Sequence, residues 1–174
     1  NGMLDLEDLK RNLNDEVAAV YIQNPTYLGN IEFQVVEIGE MAKSVGAEYV
    51  VYVDPISLGV MEAPGTYGAT IVVGNIQSLG VHMGAGSGVA GFIAVKDEEK
   101  YINSLKDMIF GYTPTTKPGE FSVSYYTAWD RTMYGRREQG VEFTGTNAAL
   151  WAICAGVYLA SMGPKGMEEV GTTI

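Results

Sequence analysis

The chain predicts an α/β fold, a mostly parallel sheet sandwiched by helices, and three features of its 174 residues carry that prediction. Residues 17–23 (VAAVYIQ), 48–53 (EYVVYV) and 69–74 (ATIVVG) are apolar runs rich in β-branched side chains. The first two are separated by a stretch whose apolar residues fall at helical spacing. The second and third are joined by a loop punctuated with proline and glycine. Near-continuous apolar strands with a helical crossover between them pair in parallel and need cover on both faces. The sheet centre is therefore expected to include Val20, Ile22, Val51, Val53, Ile71 and Val73.

Each element has its own local signal. Residues 4–10 (LDLEDLK) open the chain in a helix-like pattern. The strand at 17–23 stops at Asn24-Pro25-Thr26, a turn sequence that runs on to Asn30. From Ile31, the positions Val35, Ile38, Met41, Ala42 and Val45 lie three and four apart, which makes one buried helix face, and Gly46 stands just past its end. The strand at 48–53 leads into the loop 54–68, then the strand at 69–74. Gly91–Val95 reads as a further strand, and 97–105 as a short helix with Glu98 and Glu99 near its positive end. Thr146-Asn147 is suited to cap a last helix over 148–162, stopped by Gly163-Pro164. Residues 107–145 show no clear period, and 121–127 fits either a strand or an ordered loop.

A single domain over 1–174 is expected. The abrupt helical start, and the closing Met167-Glu168-Glu169-Val170-Gly171 that resembles the first turn of a helix, mark it as a piece of a longer protein.

Composition narrows the partners. The net charge of −10 argues against nucleic acid and against an anionic membrane surface, both of which demand clustered Lys and Arg. No apolar stretch of about 18 residues is present to span a bilayer. The only cysteine, Cys154, rules out an internal disulfide and suits a reducing cytoplasm. It lies among Ala152, Ile153, Ala155 and Val157, where a buried, inert thiol is expected.

Several motifs have a functional reading and a plainer one. Gly86-Ser87-Gly88-Val89-Ala90-Gly91 matches the dinucleotide fingerprint, but that fingerprint needs a helix N-terminus after it to face a pyrophosphate, and here a strand follows. It reads as a glycine-rich loop. His82, the only histidine, stands after the 69–74 strand, well placed for a base or cofactor contact. It has no second His or Cys nearby to suggest a metal, and an ordinary loop histidine is the plainer reading. Arg131, Arg136, Arg137 and Glu138 suit an anion clamp, a solvated turn or half of a subunit contact, of which the contact is preferred. No metal site is expected.

A last pattern concerns chemistry. An Asn-Pro turn after one strand, an Asp ending the next, and a lysine after a later strand are how a large class of pyridoxal-phosphate (PLP) enzymes holds its cofactor. The Asp pairs with the pyridinium nitrogen and the lysine forms the Schiff base. Asn24 and Asp54 fit the first two places. The third is empty of an amine: Gln77-Ser78 follows the strand, and no lysine occurs between Lys43 and Lys96.

The strings around these positions are specific. They include Gln23-Asn24-Pro25-Thr26-Tyr27-Leu28-Gly29-Asn30-Ile31-Glu32, Val53-Asp54-Pro55-Ile56-Ser57-Leu58-Gly59 and Pro64-Gly65-Thr66-Tyr67-Gly68. Gln77-Ser78-Leu79-Gly80, Arg136-Arg137-Glu138 and Thr146-Asn147-Ala148-Ala149-Leu150 follow in the same order and spacing. Together they resemble the first subunit, or N-terminal half, of the glycine cleavage system P-protein. The chain departs from the family pattern at Gly145, where a cysteine is usual, at Gly86-Ser87-Gly88 in place of Gly-Gly-Pro, and at Gln139, where a lysine is usual.

The resemblance implies a fold-type-I PLP-transferase-like large domain, with residues 92–95 antiparallel and with the N-terminal third and C-terminal small domain of the full-length protein absent. It implies a subunit of glycine dehydrogenase (decarboxylating) that binds no PLP covalently through this segment and has no catalytic residue in it. Ser78 or its neighbour Gln77 takes the lysine position, and Asn24 and Asp54 are vestigial cofactor contacts. PLP is then carried by a homologous second subunit, and the lipoylated H-protein is the further partner. One alternative is a stand-alone structural or regulatory homologue. Another is a diverged PLP enzyme whose lysine or cofactor contacts lie outside this segment.

Overall fold

The structure is a computed structural model and describes residues 2–82, 90–102, 104, 109–126 and 148–174. The chain forms two units, Asn1–Lys96 with Ala148–Ile174, and Asp97–Asn147.

The first unit begins with helix α1 (Leu6–Asn12), capped by Asp5. The Asp5 Oδ1 accepts from the backbone N–H groups of Glu7 and Asp8, both at 3.0 Å. These bonds satisfy two donors that a helix start otherwise leaves free, a contribution of about 1 kcal/mol. Strand β1 (Ala19–Gln23), helix α2 (Val35–Ser44) and strand β2 (Glu48–Tyr52) form a β-α-β crossover, followed by β3 (Ile71–Asn75) and β4 (Gly91–Val95). The four strands make one sheet in the order β1-β2-β3-β4. The pairs β1–β2 and β2–β3 are parallel, while β4 runs antiparallel to β3. The mixed, mostly parallel sheet with helices is the predicted fold class.

Helix α2 starts later than its apolar period suggests. Residues 31–34 are held outside the helix because the Asn24 side chain and the Glu32 carboxylate engage their backbone. Beyond that start, Ile38 and Ala42 pack on Val20, Ile22, Tyr49 and Val51, with Leu6, Leu9 and Leu13 from the α1 region closing the cluster. Ile38, Ala42 and Val51 have no exposed surface. Truncating Ile38 to alanine is the kind of change that costs about 2–5 kcal/mol.

The opposite sheet face is more open. The register places Tyr21, Val50, Ile71 and Val95 in one cross-strand row, and Gln23, Tyr52, Val73 and Ile93 in the next. Tyr21 and Ile93 are exposed, and Ile71 and Val73 are only half-buried. Of the six residues expected at the sheet centre, Val20, Ile22, Val51 and Val53 are buried and these last two are not, because strand side chains alternate between faces.

The last helix, α4 (Ala149–Thr173), packs on the turns after β2 and β3. Its Ala155, with Trp151, Tyr158, Met167 and Val170, joins a second cluster around Ile56, Ile76, Leu79 and Val81. The predicted stop at Gly163-Pro164 is a break rather than an end. Gly163 sits at φ 62°, ψ −179°, and the helix resumes directly afterwards. Proline suits a resuming first turn, where its missing N–H has no partner to lose. The proposed cap, Thr146-Asn147, lies outside the described residues.

In the second unit, a single helical turn, α3 (Glu99–Ile102), is followed by strands β5 (Ile109–Pro114) and β6 (Phe121–Tyr126). These two pair antiparallel, with Pro114 opposite Phe121. Residues 121–126 are therefore a strand. Its partner β5 carries a glycine and a proline that hide it from periodicity. The Tyr112 and Phe121 rings meet edge to face at 5.3 Å.

Candidate functional site at the carboxyl ends of the parallel strands

The three parallel strands bring Asn24, Asp54 and Ser78 to one end of the sheet. Asn24 directly follows β1, and its N–H donates to the Tyr52 carbonyl at 3.0 Å, continuing the β1–β2 ladder. Asp54 follows β2 by two residues. Val53 N–H donates to the Val73 carbonyl at 2.9 Å and so ties that exit to β3. Ser78 lies in the tight turn Gln77–Val81 after β3. The crevice beyond the carboxyl ends of such strands is where α/β sheets bind ligands.

Asp54 is solvent-exposed and its Oδ1 accepts two hydrogen bonds. One comes from the Ile56 N–H at 3.0 Å, the other from the Ser78 hydroxyl at 2.8 Å. Of the two residues expected at the lysine position, Ser78 is thus the one seen to reach the carboxylate. Gln77 donates its backbone N–H to Asn75 Oδ1 at 3.1 Å. Asn75 Nδ2 in turn donates to the Tyr52 hydroxyl at 3.1 Å and links the ends of β2 and β3.

Asn24 is only 2% exposed, and its amide is engaged at both ends. Nδ2 donates to the Glu32 carbonyl at 3.2 Å, and Oδ1 accepts from the Glu32 N–H at 3.1 Å. This clasp closes the loop that begins at the cis Asn24–Pro25 bond. Glu32 is itself buried. Its Oε2 accepts from Leu4 N–H at 2.7 Å, and its Oε1 from Gln34 N–H at 2.9 Å and Gln34 Nε2 at 3.2 Å. Burial alone would push the Glu32 carboxyl up; the N–H donors of Leu4 and Gln34 outweigh it and hold the carboxyl below the usual range.

Beside this pair stand Tyr49 and Tyr67, ring centroids 6.4 Å apart. Burial foremost, then the proximity of Tyr67 and Glu32, pushes the Tyr49 phenol up. Burial also raises Tyr67, while a hydrogen bond with the Asn24 side chain pulls the other way. Both phenols remain neutral. Sequence reasoning singled out neither tyrosine, nor the clasp. The bond between Asn24 and Glu32 spans eight residues, and no short-range rule connects residues at that distance.

The remaining candidates lie apart. His82 is exposed, at φ 24°, just after the Gln77–Val81 turn. Arg131, Arg136, Arg137 and Glu138 lie outside the described residues, as does most of the Gly86–Gly91 loop, although Gly91 does begin a strand. Cys154 is exposed, where burial was expected. Among the described residues, no group of three His, Cys, Asp or Glu side chains is arranged to hold a metal.

The register also places Lys96. Strand β4 is antiparallel, so Gly91 faces Asn75 and Val95 faces Ile71. Lys96 N–H donates to the Thr70 carbonyl at 3.2 Å, at the amino end of β3. Five residues of strand, about 17 Å at roughly 3.3 Å each, separate Thr70 from Asn75 and the site. The Schiff base of PLP needs an amine at the position after β3. Ser78 in that turn offers a hydroxyl, which does not fit covalent attachment of that cofactor.

A mixed sheet with an aspartate ending its second strand and these residues at the carboxyl ends is the architecture of the fold-type-I PLP-dependent enzymes. A crystal structure of glycine decarboxylase (P-protein) of the glycine cleavage system, in inhibitor-bound form, superposes with a TM-score of 0.76 at 36% identity, over 90% of this chain and 35% of that one. The family model for the glycine cleavage system P-protein matches residues 3–174. The chain belongs to that family. It is 41% identical over 173 residues to the probable glycine dehydrogenase (decarboxylating) subunit 1 of Pyrococcus furiosus, covering 99% of this chain and 38% of the relative. The protein of the same name from Chlorobium limicola is 37% identical over 170 residues, 98% of this chain and 37% of the relative. The chain thus spans under two-fifths of the length of these relatives.

Proposed function

We propose that this chain is the middle of a longer P-protein subunit that supports glycine decarboxylation without carrying the cofactor. In this reading the N-terminal third and the C-terminal small domain lie outside residues 1–174. PLP is held by a homologous second subunit, and the lipoylated H-protein receives the aminomethyl group. The observation that carries the reading is the Ser78 hydroxyl on Asp54 at 2.8 Å. A hydroxyl there cannot do a lysine's chemistry, but it can keep the crevice formed and the carboxylate satisfied.

Supporting this, Asn24 is committed to the Glu32 backbone rather than turned to an open cleft. The relatives named as subunit 1 favour an assembly over a stand-alone homologue. Among the described residues, no helix is long and apolar enough to cross a membrane. The test is co-purification of the full-length subunit with its candidate second subunit. A stable complex that decarboxylates glycine, while neither subunit does so alone, is expected. Full activity of the second subunit by itself would overturn the reading.

A further inference from the structure

Residues 149–162 of α4 (ALWAICAGVYLASM) contain no charged residue. One side of this segment, with Trp151, Ala155 and Tyr158, packs on the turns after β2 and β3. The other side carries Leu150, Ile153 and Val157, which are 62%, 63% and 61% exposed. Cys154 is exposed beside them. A surface helix is polar on its outer face; one that is apolar all round is buried. The sequence of this helix is therefore written for a covered position on both sides.

We infer that the outer face of α4 around Leu150, Ile153, Cys154 and Val157 is covered by the subunit's own polypeptide outside residues 1–174. This rests on the reading of the chain as part of a longer subunit. Two observations choose that occupant. The relatives extend well beyond the matched segment, which is 38% of the Pyrococcus furiosus protein, so more than half of such a subunit is available as cover. The face also lacks any charge. Surfaces that are bare before partners meet keep the polarity of ordinary protein surface, whereas a permanently covered face needs none. Cover from the same polypeptide is present from the moment of folding.

Cys154 reports on the face without mutation. In the full-length subunit alone, maleimide labelling of Cys154, read by peptide mapping, is expected to be at least about 100-fold slower than in the urea-unfolded chain. Labelling near the unfolded rate in that subunit would overturn the inference. Protection that arises only when the second subunit is added would give the face to that partner. Protection that arises only at concentrations where the subunit self-associates would give it to a second copy; either result overturns the inference. As a second readout, I153D and V157D together should lower the melting temperature of the full-length subunit alone. An unchanged value would contradict intrachain cover. Both readouts are independent of decarboxylation, so they can fail while the functional reading stands, and the reverse.

Discussion

Glu32 is a buried carboxylate made tolerable by its donors. Its charge sits among the N–H groups of Leu4 and Gln34 and the Gln34 side-chain amide, while Asn24 fixes the backbone that carries it. Because its folded pKa lies below the ordinary 4.5, its stabilising contribution is complete above that value and is lost as pH falls through the depressed one. Urea midpoints measured from neutral pH downward should show an acid loss in the wild type that Glu32→Gln lacks. Parallel curves would contradict the assignment. Glu32→Ala at neutral pH should cost about 1.5–3 kcal/mol, the worth of hydrogen bonds to a charged group. Tyr49 makes the opposite case. Its hydroxyl is buried with no hydrogen-bond partner, an arrangement that costs about 1–3 kcal/mol. Tyr49→Phe should therefore hold or raise the denaturation midpoint, by up to about 1 kcal/mol. A clear loss of stability would mean the hydroxyl is bonded after all.

Among the elements, α4 is seated by a close approach of backbones. A Cβ added at Gly59 would run into the Met167 carbonyl group of α4, and one at Gly171 would come within 3.0 Å of the Ile56 carbonyl oxygen. Gly59→Ala should destabilise by about 1–3 kcal/mol through overpacking. Gly65→Ala, with nothing within 4 Å, should stay within about 0.5 kcal/mol of the wild type. Equal effects in chemical denaturation would count against this packing. These dependences show what the sequence could and could not tell. Strands β1 to β4 were legible because their β-branched runs need burial whatever surrounds them. The placement of Asn24, Asp54 and Ser78 at one end of the sheet is legible too, since each follows a readable strand. Hairpin strand β5 was not, because Gly111 and Pro114 break its pattern and its support comes from β6. The early helical start at Ile31 failed for a tertiary reason: the Asn24 clasp overrides local spacing. Cys154 is expected to be buried from its apolar neighbours, and within residues 1–174 it is exposed; the cover inferred above for the outer face of α4 lies outside them.

At the scale of the molecule, the acidic chain belongs to the P-protein family, and its sheet places an aspartate at the carboxyl end and the nearest downstream lysine at the opposite one. Lys96 follows β4 at the amino end of β3, about 17 Å of strand from the site. Asp54 is served instead by Ser78. On the function proposed above, this subunit keeps the fold of a cofactor site and its homologous partner supplies the chemistry. The most direct test is to incubate the full-length subunit, assembled with its second subunit, with PLP, reduce it with borohydride and map the labelled peptides. Label is expected on a lysine of the second subunit, with none in stoichiometric amount on this chain. Stoichiometric label on any lysine of this subunit, Lys96 included, would contradict it.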